Sequence, residues 1–169
     1  RIIRPLPALT ALKSSAPFLK KVSGVRNQAA ITLEINGNAV RHEIGELQWT
    51  DYGISGVAIF QLSRFAITAL EENKKVSLSF DFMPELPSEE KENLFLSLAQ
   101  NNKKKSMLSF LKGLFPAKLC PIILREAKVE EGQTTGRMKK QDWENLVKAV
   151  AHFSLRINGY ASYEKAQVT

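Results

Sequence analysis

The stretch from Gly45 to Ser63, GELQWTDYGISGVAIFQLS, constrains the fold of this chain more than any other. It starts by alternating, with Leu47 and Trp49 directed one way and Glu46, Gln48 and Thr50 the other. That is the period of a half-buried strand. Asp51-Tyr52-Gly53 interrupts the pattern, and Val57, Ile59, Phe60 and Leu62 restart it as a helix. Gly53 and Gly56 flank Ser55 at the break, where they permit close backbone approach, and Ser55 is the expected N-cap. The helix, over about 55–72, is apolar on most of its circumference, as helices buried on more than one side are. A strand feeding directly into a central helix, with Thr50, Asp51, Tyr52 and Ser55 clustered at the junction, is the most site-like feature of the chain.

Upstream, proline-punctuated apolar residues from Arg1 to Ala16 predict extended backbone over a core, continuing through Phe18 to Val25. Ala30 to Ile35 and Ala39 to Ile44 alternate around Asn36-Gly37, a strong hairpin signature. The alternation places Ile31, Leu33 and Ile35 on the core face, opposite Val40, His42 and Ile44. Downstream, Val76 to Phe82 alternates as a strand, and Pro84 and Pro87 stop it. From Ser88, an expected N-cap, the period changes to helical. Stripes around Phe95, Phe110, Ile123 and Trp143 predict four short helices, with Pro121 marking a kink or a late start in the third. Phe153, Leu155 and Ile157 return to strand period, and Tyr160 to Thr169 is expected to be extended. The order strands, helix, strand, helices, strands predicts an α+β fold. In it, 1–85 with 150–169 form a β-barrel or strongly curved sheet, and 86–149 form an inserted helical subdomain.

A length of 169 residues with 44% hydrophobic content is enough to bury a core. No apolar run approaches the roughly 20 residues that span a bilayer, so no membrane partner is expected. The one cysteine, Cys120, cannot form an internal disulfide and fits a reducing, cytoplasmic setting; its apolar neighbours predict a buried, inert thiol. With no initiator methionine, the chain is expected to be a segment of a longer polypeptide or a processed form. The net charge of +7 is unevenly spread. Residues 1–29 hold six basic and no acidic groups, and residues 86–149 hold twelve basic against eight acidic. Lys103-Lys104-Lys105 is explained by a solvated turn.

No GxGxxG, P-loop or GxSxG occurs, and neither His42 nor His152 has a second ligand at metal spacing. His42 on an apolar strand face is expected to be satisfied and partly buried, and His152 to sit at a helix C-terminus. Asp51 is a candidate general acid/base or orienting group; a turn residue bonding its own backbone is the commoner role. Trp49 and Tyr52 could stack on a planar ligand, with core packing the better assignment for Trp49. The residues alone assemble no complete catalytic apparatus.

The blocks GEL, T-x-Y-GISG and AI-x-QLS resemble the GE(L/M)LFTHxGISGPAIL motif of the BaiN/aminoacetone-oxidase-like FAD-dependent oxidoreductases. RPLPALTAL at Arg4 to Leu12, LKKVSGV at Leu19 to Val25 and the final AQVT are similar to family segments on either side. The resemblance spans essentially the whole chain. It implies the middle insert domain of an NAD(P)/FAD-utilising flavoprotein, a barrel shaped like those of translation factors with a helical subdomain inside. FAD would belong to the full-length parent, with none bound by this segment. The partners implied are the FAD-binding domain of the same polypeptide and a small-molecule substrate. Thr50, Asp51, Tyr52, Gly53, Ser55 and Gly56 would face the flavin domain or the substrate, with Asp51 the weak catalytic candidate. In the family motif a histidine stands at Asp51 and a proline at Val57. The competing expectation is a basic β-barrel module binding RNA or the ribosome, and against it there is no Lys/Arg stripe with interleaved aromatics. The third reading is a purely structural interdomain spacer.

Overall fold

A computed structural model of the chain describes residues 5–166. It divides into two compact units, one running up to Phe80 and resuming at Ser154, the other Asp81–Phe153.

The first unit is built on a long hairpin, β2 (Arg26–Ile35) and β3 (Asn38–Trp49), after a two-residue β1 (Leu12–Lys13) and a single helical turn α1 (Leu19–Val22). The α1 turn lies where extended chain was expected; its two apolar residues, Leu19 and Val22, are buried as successive positions of a helix face. Asn36 and Gly37 both take positive φ, 53° and 81°, the requirement of the two-residue turn that Asn-Gly favours. The inner face of the hairpin carries Ala29, Ile31, Leu33, Leu47 and Trp49, all fully buried.

The expected partners across the hairpin are corrected by one residue. Ile31 lies opposite Glu43 and Leu33 opposite Arg41, with a bulge between Leu33 and Glu34. Val40, His42 and Ile44 therefore point outward, Ile44 being 65% exposed, because a one-residue shift carries a whole set of side chains to the other face. His42 is exposed, its Nδ1 within 3.2 Å of Thr32 Oγ1.

After β4 (Gly53–Ser55), helix α2 (Val57–Glu71) packs on the inner face. A Cβ built on Gly45 of β3 would lie 3.2 Å from the Cβ of Ala58, so the helix starts in close contact with the strand. Further along, the guanidinium groups of Arg41 and Arg64 each lie 4.5 Å from the ring centre of Phe65. Ile59, Leu62, Ala66 and Ile67 are buried, but Val57 is 72% exposed, so the helix is less uniformly covered than its composition suggests.

Strands β5 (Val76–Asp81), β6 (Phe153–Ile157) and β7 (Gly159–Tyr160) complete a seven-stranded sheet in the order β6-β5-β2-β3-β4-β1-β7. Among the described residues the two end strands do not pair, so the expected barrel is an α+β fold with a sheet not closed by hydrogen bonds. The reason lies in the connection. β6 and β7 are consecutive, separated by Asn158 alone, and cannot lie side by side. Six inter-strand spacings would put the ends of a flat sheet about 29 Å apart. Ile157 and Gly159 can be no more than about 7 Å apart along the chain. The sheet must curl until its two edges meet end to end. The last described residues form a 3-10 turn, Tyr163–Lys165, where extended chain was expected, and residues 167–169 lie outside the description.

The second unit holds α3 (Ser88–Gln100), α4 (Met107–Lys112), α5 (Cys120–Ala127) and α6 (Lys140–Ala151). Pro87, not Ser88, is the N-cap of α3; Glu89 and Glu90 occupy its first turn and favour its dipole. Ser106 caps α4 by accepting the N–H of Ser109 at 3.2 Å. Pro121 lies in the first turn of α5, where no backbone donor is needed, so it marks a late start rather than a kink. Phe110 joins two helices to the core, edge-to-face with Phe95 at 6.4 Å and with Trp143 at 5.9 Å. Lys91, 1% exposed, donates from Nζ to Asp81 Oδ2 at 2.8 Å, while Asp81 Oδ1 accepts the N–H of Met83. Asp81→Ala should cost about 3–5 kcal/mol in urea unfolding by leaving the buried Lys91 ammonium unpaired, and the D81N/K91M pair less than half of that.

Candidate functional site

The junction from Thr50 to Val57 is shaped by two blocked glycines. A Cβ on Gly53 would lie 2.0 Å from the backbone oxygen of Leu12 in β1. A Cβ on Gly56 would lie 2.6 Å from the backbone oxygen of Glu46 in β3, and Gly56 holds φ at 117°. Both contacts are with the protein's own backbone. Between the glycines, Ile54 is fully buried and pairs with Leu12 on one side and Trp49 on the other. The close approach read from the glycines is therefore an approach of strands to one another.

Gly56 is the N-cap of α2, and Ser55, expected there, is the last residue of β4. The strand register decides this: Ser55 lies opposite Gln48, so the chain leaves the sheet one residue later than the expected cap. Gly56 supplies no side-chain cap, and the first turn of α2 has no acidic residue.

The six predicted positions differ in setting. Asp51 and Tyr52 form an exposed bend, Tyr52 being 37% exposed with its backbone oxygen accepting the N–H of Ser14 at 3.0 Å. The ammonium of Lys165 stands 5.8 Å from the Tyr52 ring centre. Thr50 donates its N–H to the backbone oxygen of Gly53, and its Oγ1 is buried without a hydrogen-bond partner among the described residues. Ser55 and Gly56 instead line an open cleft of about 380 Å³ with Arg26, Glu46, Val57 and Phe60. Arg26 and Glu46 pair across its rim at 3.5 Å. Lys165 beside Tyr52, and the Arg26–Glu46 pair, escape sequence reasoning because each comes from a distant segment with no motif of its own.

Trp49 is core. Its ring packs against Phe18 at 6.0 Å and Phe80 at 5.4 Å, and Nε1 donates to Asn27 Oδ1 at 3.0 Å. Among the described residues no group of three or more His, Cys, Asp and Glu could hold a metal ion. No described helix is long and apolar enough to cross a membrane.

Sheet and helical unit together define a class of two-part α+β domain, and comparison with known proteins agrees. Residues 6–168 match the model of the HI0933-like protein barrel and H2TH domain. The chain is 31% identical over 163 residues to the 3-dehydro-bile acid delta(4,6)-reductase of Clostridium scindens. The match covers 96% of this chain and 40% of that protein, so the chain spans about two fifths of the length of its curated relative. The chain belongs to the BaiN/HI0933-like family of FAD-dependent oxidoreductases. At the junction the two glycines are closed by backbone, the exposed groups are Asp51, Tyr52 and Val57, and Thr50 Oγ1 has no hydrogen-bond partner among the described residues.

Cys120 is fully buried, and its thiol faces the backbone oxygens of Pro116 at 3.3 Å and Phe115 at 3.6 Å. Burial pushes it from 9.0 up to about 11, partly offset by the charge of Lys112. Near pH 8 its alkylation should be about 100-fold slower in the folded chain than in the unfolded one. Burial of the neutral thiol stabilises the fold fully below 9.0, and that contribution is lost as pH rises toward about 11. The fall in unfolding midpoint over that window should be shallower for Cys120→Ala.

Gly53→Ala and Gly56→Ala should each cost about 3 kcal/mol or more in urea unfolding, because backbone must move. Val57→Pro, at the first helical position, should be neutral or stabilising by up to about 1 kcal/mol. Asp51→His should change stability by no more than about 0.5 kcal/mol.

Proposed function

We propose that this chain is the insert domain of a flavin-dependent oxidoreductase, covering the flavin from the substrate side and carrying no redox chemistry alone. The observation that carries the proposal is the junction itself, where Gly53 and Gly56 are closed by the backbone of Leu12 and Glu46 and Asp51 and Tyr52 stand on an exposed bend. Such a junction suits a surface that must meet another domain in one geometry and exclude water there. The FAD-binding domain of the same polypeptide is the partner, and FAD is held there. Tyr52 offers a planar face and a phenol to the substrate side, and Asp51 a carboxylate where the family motif has histidine. The bile acid reductase supports a small-molecule substrate for the parent protein.

Purified alone, the chain should be folded and colourless, whereas the parent polypeptide should be yellow. In the parent, Tyr52→Ala and Asp51→Ala should lower kcat/KM about tenfold, roughly 1.4 kcal/mol of transition-state stabilisation, with FAD content unchanged. Stoichiometric FAD on the isolated chain, or unaltered kinetics in both variants, would overturn the proposal.

A further inference from the structure

We propose that two adjoining loops of the helical unit form a cationic surface that docks on the phosphate backbone of double-stranded nucleic acid. Lys103-Lys104-Lys105 alone reads as a solvated turn, but the fold sets a second basic segment against it. The N–H of Thr135 donates to the backbone oxygen of Lys105 and that of Gly136 to Lys103, each at 3.0 Å. Thr135 is 4% exposed, and its Oγ1 donates to the backbone oxygen of Asn102 at 2.6 Å. A Cβ on Gly136 would lie 2.9 Å from the oxygen of Lys103, so the loops meet backbone to backbone. Arg137, Lys139 and Lys140 follow directly on this second loop, and like the three lysines of the first they are exposed.

The helix dipole does not account for this grouping. Lys139 is the N-cap of α6 and Lys140 its first residue, the end at which the dipole disfavours positive charge. Nearby acids do not neutralise it. Asp142 Oδ2 accepts the backbone N–H of Lys139 at 2.9 Å, and Glu144 reaches only Lys140, at 3.9 Å. Glu130 and Glu131, at the start of the second loop, form no ion pair with these cations among the described residues. Charge of one sign, left unpaired on loops whose backbones are already hydrogen-bonded to each other, complements a chain of closely spaced negative charges. Neither 100–106 nor 134–141 contains an aromatic residue on which a base could stack, so the surface suits a duplex backbone rather than a single strand.

Contacts to phosphate alone carry no sequence preference, so the binding is weak and steeply salt-dependent. Fluorescence anisotropy of a labelled DNA duplex, titrated with the chain, should show saturable binding at low salt, with a slope of log K against log salt of about −4. K103A/K104A and R137A/K139A should each make that slope shallower by about 2. Lys20 and Lys21 are exposed on α1 in the other unit, and K20A/K21A removes the same charge. It should leave the slope unchanged, and circular dichroism and the unfolding midpoint should be the same in all three variants. Absence of binding at low salt would refute the proposal, as would an equal loss in K20A/K21A, which would reduce the effect to net charge. Polyglutamate displacing the duplex at equal charge concentration would also refute it, and would assign the surface to an acidic protein.

Discussion

The sheet of the first unit depends on one close approach: the three-residue strand β4 held between β1 and β3. It has room for backbone and little else, since the Cβ of any residue but glycine at 53 would meet the carbonyl of Leu12 at 2.0 Å. On one side of β4 lies the long hairpin β2–β3, a local structure fixed by its own turn. On the other lies β1, which carries β7 from the far end of the chain. Take β4 away and the hairpin has no link to β1 and β7 through the sheet. Pairing of this kind must overcome the loop-closure entropy of residues far apart in sequence, and a short, tightly fitted strand returns that cost with backbone bonds and the burial of Ile54.

The helical unit depends on an interaction of the opposite kind, a charge in an apolar setting. Lys91 is nearly all buried, with Asp81 as its ion-pair partner at 2.8 Å. Asp81 stands at the end of β5, just before the loop that leads into α3. An ion pair so placed is a poor source of net stability compared with apolar packing, because both groups lose hydration. Breaking it is costly all the same, so it selects the arrangement of that loop and helix in which both partners meet.

Local signals in the sequence were decisive where the structure is local. Asn36-Gly37 determines the hairpin turn by its tolerance of positive φ, and the alternation from Val76 to Phe80 yields a strand buried on its odd-and-even pattern as read. Periodicity is silent on which of two faces turns inward once polar and apolar residues mix, as they do from Ala39 to Ile44. There the bulge at Leu33/Glu34 set the register, and it has no sequence signature. The glycines at 53 and 56 were legible as places of close approach. What they approach was not, since Leu12 and Glu46 are brought there by tertiary pairing. The same holds for Lys165 beside Tyr52. A family resemblance reached further than the residues did in naming flavin chemistry, but it could not say which motif positions touch solvent.

That distinction bears on the two places where this chain departs from the family motif. Asp51 replaces a histidine and Val57 a proline, and both side chains are exposed. The glycines between them match the motif and are enclosed by backbone. The motif is thus two things overlaid. Its glycines and Ile54 obey a packing constraint that any sequence adopting this sheet must meet, whatever it covers. Positions 51 and 57 have no such constraint, since a side chain there displaces nothing within the chain. An exchange of imidazole for carboxylate at 51 leaves the fold intact and alters what the surface offers to whatever lies across from it. The match at Gly53 and Gly56 therefore reflects architecture, whereas Asp51 and Val57 stand at exposed positions where the fold sets no such demand.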